Sequence, residues 1–100
     1  MSILKTTNAG SKAIRVTSEQ LILDEIAKLG YTYNYTLRCW SCSNNPLPDI
    51  VIDYIYGSNG SDLFHIYVYL TKYSRTRYNI TTMFDLFNFI EDMKKKYLNC

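Results

Sequence analysis

"LFHIYVYLTKY", residues 63–73, places Phe64, Ile66, Val68 and Leu70 on one set of alternate positions and His65, Tyr67, Tyr69 and Tyr73 on the other. A period of two is that of a β-strand with two different faces. The aliphatic row needs a covering layer, so this stretch predicts helices on one side of a sheet. The aromatic row is then left on the opposite side.

Working outward, "IVIDYIY" (50–56) reads as the preceding strand, with Ile50, Ile52, Tyr54 and Tyr56 on one face. "GSNGSD" (57–62) between them reads as a hairpin connection in which Gly57 and Gly60 supply positive φ. "YTYNYTLRC" (31–39) alternates strictly and predicts a further strand, with Tyr31, Tyr33, Tyr35, Leu37 and Cys39 sharing a face. "SNNPLPD" (43–49) has too many prolines and asparagines for a ladder and reads as a loop. "SRTRYNI" (74–80) reads as a basic loop.

Two helices flank these strands. Leu21, Ile22, Ile26 and Leu29 draw a helical stripe over about residues 18–29, with Thr17 and Gln20 as a capping box and Gly30 as the left-handed stop. Met83, Leu86, Phe87, Ile90, Met93 and Tyr97 draw the second, opened by Thr82 and Asp85 and closed by Lys94, Lys95 and Lys96. At the amino terminus, "SILKTT" and "KAIRVT" are short β-like runs about "NAGS", suited to a hairpin. One hundred residues make a single α+β domain, 1–100. The expected architecture is a two-layer sandwich of order (ββ)αβββα. Its antiparallel sheet has three strands, or five if the amino-terminal runs join it, and both helices pack on one face. The α–β–β–β–α order over residues 18–98 resembles the double-stranded-RNA-binding domain. That family has a basic cluster at the start of its second helix, where this chain has "TTMFDLF", so no site residue is carried over.

Ten tyrosines are the compositional anomaly. Packing within strands accounts for part of them. One small core cannot provide a partner for every hydroxyl, so some rings are expected at the surface. Tyrosine with arginine is the composition of protein-interface hot spots. The expected interaction surface is Tyr67, Tyr69 and Tyr73 with Tyr33 and Tyr35, bordered by Lys72, Arg75 and Arg77. The leading expectation is therefore a non-enzymatic module that binds another protein, or itself as a homodimer. The alternative is a nucleic-acid-binding protein that stacks bases on the sheet aromatics and holds phosphates with the basic 72–77 segment. A net charge of +2 is small for non-specific nucleic-acid binding. Abundant Tyr, Ile and Asn with scarce Ala and Gly suit AT-rich coding DNA, which viruses, phages and mobile elements share with many cellular organisms; by association, the expectation is a virus- or phage-encoded factor acting on a host protein.

Catalysis finds little support. His65 is the sole histidine; it can face Asp53 across a hairpin, but no nucleophile accompanies them. Cys39 and Cys42 form a C-x-x-C, yet a structural zinc needs about four ligands and nothing requires Cys100 and His65 to converge on it. Redox chemistry needs a helix starting at the first cysteine, and "SNNPLP" follows instead. Free thiols are the expectation, a disulfide the alternative, and no metal or cofactor is expected. "MSILKTTNAGSK" has no apolar run long enough for a signal peptide or membrane span, which predicts an intracellular, cytoplasmic protein without membrane partners.

Overall fold

The computed structural model describes residues 14–56 and 63–98. In chain order it contains α1 (Glu19–Lys28), β1 (Tyr31–Asn34), β2 (Cys39–Cys42), β3 (Ile50–Ile55), β4 (Leu63–Tyr69), β5 (Arg75–Ile80) and α2 (Met83–Met93). A π-helical turn, Lys94–Leu98, extends α2. The five strands form one antiparallel sheet in the order β1-β2-β3-β4-β5.

The α+β sandwich expected from the sequence is the fold observed. β4 is its pivot: Phe64, Ile66 and Val68 are buried, and the residues between them are partly open. Ile66 lies between Ile52 and Tyr78, and Val68 between Ile50 and Thr76. This face joins Ile22, Ile26 and Leu29 of the α1 segment and Leu86, Phe89, Ile90 and Met93 of α2 in a single apolar cluster. Both helices therefore cover one face, and full burial of each aliphatic side chain contributes about 1.5–3 kcal/mol.

Five strands arise differently from the expected three or five. "YTYNYTLRC" is not one strand. The Asn34 carboxamide oxygen accepts the amides of Thr36 and Leu37, each at 3.0 Å, and Arg38 adopts a φ of 55°. The chain turns there, and Cys39–Cys42 folds back with Tyr33 opposite Trp40. "SRTRYNI" is not a loop, because Arg75–Ile80 pairs along β4 as an edge strand. The αβββα order shared with the RNA-binding family is replaced by five consecutive strands between the helices.

The proposed amino-terminal hairpin lies mostly outside the described residues, as does the 57–62 connection. What is described of "KAIRVT" docks elsewhere: Arg15 bridges to Thr82, and the Val16 amide donates to the Thr81 carbonyl at 2.8 Å. The helix starts differ in quality. Thr82 and Asp85 form a complete capping box. At α1 the N-cap is Ser18, without a side-chain hydrogen bond, so the box read at Thr17 and Gln20 does not form. Gly30 has a φ of +100°, as a left-handed stop requires. On α2, Phe87 of the expected stripe lies 39% exposed, and Phe89 is buried in its place.

Ile66→Ala should cost about 2–5 kcal/mol in urea unfolding, since a fully buried aliphatic side chain at the sheet centre leaves a cavity. Tyr31 makes a second prediction. Its hydroxyl donates to the Pro48 carbonyl at 2.6 Å, and burial, then the nearby Cys42 and Asp49, raise its pKa far above the ordinary tyrosine range. A raised folded pKa favours the proton-bound native state. Its contribution is complete below about pH 10 and is lost as the pH rises towards the folded pKa. Unfolding free energy should therefore fall above about pH 10, with a shallower slope in Tyr31→Phe.

Candidate functional site

The side of the sheet away from the helices is built in cross-strand rows. Asp53, His65 and Asn79 form one; Val51, Tyr67 and Arg77 form the next; Tyr69 and Arg75 form a third. Directly opposed residues on an antiparallel pair have Cβ atoms about 4.5–5.5 Å apart, so these are side-chain neighbours. Arg75 reaches diagonally. Its guanidinium carbon lies 4.2 Å from the centroid of the Tyr67 ring, and its Nη1 donates to the Tyr69 hydroxyl at 3.4 Å. The Tyr67 hydroxyl lies 3.3 Å from His65 Nδ1. Hydrogen bonds and a cation–π contact thus tie two tyrosines, an arginine and the histidine together.

The patch is cationic. The ion pairs Lys28–Glu25, Lys94–Glu91 and Lys96–Asp92 belong to the helical segments. Among the described residues neither Arg75 nor Arg77 forms an ion pair with a carboxylate. Lys72 and Tyr73 extend the patch into the β4–β5 turn, where the Lys72 ammonium lies 5.9 Å from the Tyr73 ring centroid and that ring is 91% exposed.

The other two expected tyrosines lie elsewhere. Tyr33 is opposite Trp40, which is itself opposite Ile50 of the helix-facing row, so Tyr33 belongs to the helix side of the sheet near its β1 edge. Its ring packs edge-on against Trp40 at 5.1 Å and Tyr35 at 4.8 Å. Tyr35 occupies the β1–β2 turn. The expected surface is therefore two separate aromatic groups.

Asn79 of β5 and Val51 of β3 complete the open-face rows, and neither is among the residues expected from the sequence. The signal was present: Thr76, Tyr78 and Ile80 alternate with Arg75, Arg77 and Asn79. On the helix side, the Tyr78 hydroxyl donates to Asp92 Oδ2 at 2.6 Å, and Lys96 Nζ lies 3.2 Å from the same carboxylate oxygen. Burial and this carboxylate raise the Tyr78 pKa, while the tyrosine hydroxyl and Lys96 hold that of Asp92 below its ordinary range.

The C-x-x-C lies within β2, so its cysteines point to opposite faces. Three residues of strand separate their Cα atoms by about 10 Å, beyond disulfide reach. Burial and Asp49 raise the Cys39 pKa, which keeps it a thiol. Cys42 Sγ lies 3.5 Å from the Leu29 carbonyl. Both cysteines are free, and Cys100 lies outside the described residues. Asp53 and His65 do face each other across β3 and β4. Among the described residues no helix is long and apolar enough to cross a membrane.

Comparison with known protein families, curated proteins and solved structures finds no match.

Arg75→Ala should leave the fold intact, with a stability loss of less than about 1 kcal/mol in denaturant titration, because an exposed cation–π contact contributes on that scale.

Proposed function

We propose that this chain is a small non-enzymatic binding module that recognises another protein through the open face of its sheet. The observation that carries the proposal is the Tyr67–Arg75–Tyr69 cluster, flanked by Arg77, on a sheet face that neither helix covers. Tyrosine and arginine are the residues that dominate binding energy at protein interfaces. A ring already oriented by hydrogen bonds loses little freedom when it docks. A second copy of the chain is the other protein partner that suits this face. The sequence composition suits a virus- or phage-encoded factor whose target is a host protein.

The nucleic-acid alternative uses the same arginines for phosphates. The position of Arg75 weighs against it, since its guanidinium lies over the Tyr67 ring where a base would stack.

The test has two arms. Tyr67→Ala and Tyr69→Ala are expected to retain the far-ultraviolet circular dichroism of the parent and to lose a protein captured from host lysate by the parent. Unfolding of both variants would return these rings to a structural role and overturn the proposal. In fluorescence anisotropy, labelled single-stranded DNA, duplex DNA and RNA are expected to bind only at low salt. Affinity that survives physiological salt and discriminates among the three would replace it with the nucleic-acid reading.

A further inference from the structure

Among the described residues the sheet ends at β5, and the direction of its backbone groups follows from hydrogen bonds at either end. The Leu70 amide donates to the Ser74 carbonyl at 2.9 Å, and the next opposed pair along the hairpin is Tyr69–Arg75. Antiparallel ladders alternate hydrogen-bonded and non-hydrogen-bonded pairs. The bonded pairs are therefore Val68–Thr76, Ile66–Tyr78 and Phe64–Ile80, and Arg75, Arg77 and Asn79 direct their amides and carbonyls outward. Two further bonds agree. The Tyr69 amide points away from β5, to Asp49 at 3.0 Å, and the Thr81 carbonyl points outward, where it accepts from Val16. The outward pattern thus runs through Arg75, Arg77, Asn79 and Thr81, and the chain's own residues 14–16 use its far end.

The same three residues point their side chains to the open face. A strand added to β5 would bond to the backbones of Arg75 and Arg77 and set its own side chains directly against their guanidinium groups. Its intervening side chains would fall on the helix side, in a cleft of about 390 Å³ between β5 and α2 lined in part by Tyr78, Asn88, Glu91 and Lys95. Acidic side chains match the first row, and uncharged ones suit the second, where Glu91 and Asp92 already stand. A second copy fits poorly. In a two-fold pairing of β5 that continues both sheet faces, Arg75 or Arg77 meets Arg75 or Arg77 of the other copy over the central registers, and like charges directly opposed are destabilising.

We infer that the β5 edge is a strand-addition site for an extended peptide with acidic residues at alternate positions and uncharged residues between them. The inference rests on the protein-binding reading and names its partner's chemistry: main-chain bonds supply affinity and the alternate side chains supply specificity.

The test uses an alternating Glu-Thr-Glu-Thr-Glu peptide, a block peptide of the same composition, and the alternating peptide N-methylated at either set of amides. The readout is amide exchange followed by NMR. In the free protein the amides of Arg75, Arg77 and Asn79 should exchange faster than those of Thr76, Tyr78 and Ile80. The alternating peptide should protect the fast set, and N-methylation of only one of its two amide sets should abolish this. Arg75→Glu/Arg77→Glu should weaken binding by roughly tenfold or more and should prefer the corresponding Lys-Thr peptide, a swap that a merely unfolded variant could not show. Protection that grows with protein concentration and without peptide would overturn the inference in favour of a second copy. Binding without protection of the outward amides, equal binding of the block peptide, or no binding at millimolar concentration would also overturn it. In those cases continued dependence of partner capture on Tyr67 and Tyr69 would leave the face reading standing. Protection of β5 by peptide with capture indifferent to both tyrosines would separate the two in the other direction.

Discussion

The alternation along β4 is the constraint on which the rest depends. Phe64, Ile66 and Val68 must leave water together, and a strand's geometry then sends His65, Tyr67 and Tyr69 to the other side. A slip of one residue in register would exchange the two sets and bury polar tips without partners. The neighbours reinforce the same choice, since Ile50 and Ile52 on β3 and Tyr78 and Ile80 on β5 fall on the aliphatic side.

Both helices cover the same side of the sheet. The apolar stripes of α1 and α2 meet the aliphatic face, and Tyr78 links that layer to α2 through Asp92 and Lys96. The open face is stabilised differently. Its rings carry hydroxyls that hydrogen-bond within the face, and Arg75 partly covers Tyr67. Such contacts are individually weak in water, so the face is ordered by its strands rather than by its own cohesion.

Much of this was legible because the strongest signals were local. The two faces of β4, the Thr82–Asp85 cap and the stop at Gly30 each depend on residues within one turn or strand. The misreadings share a cause. "YTYNYTLRC" keeps its alternation through a turn, because Tyr35 and Leu37 are apolar on loop positions where nothing buries them. The arginines of β5 give it the look of a basic loop, although an edge strand with one solvated face tolerates them. The site divided along the same line: Tyr67, Tyr69, Arg75 and Arg77 came together, while Tyr33 went to the other side of the sheet and Tyr35 to the β1–β2 turn.

By itself the sequence determined the periodicities: where a helix can start and stop, which residues of a strand share a face, and that ten tyrosines exceed what one core can satisfy. Those properties follow from backbone geometry over a few residues. The tertiary structure alone decided which strands are neighbours, that the C-x-x-C spans both faces of β2, and that Arg75 rests on Tyr67. It also decided that β5 is the edge among the described residues, with its outward amides and its arginine side chains carried by the same residues. These are matters of register between segments distant in the chain, and register is set by the joint burial of a face that no single segment specifies.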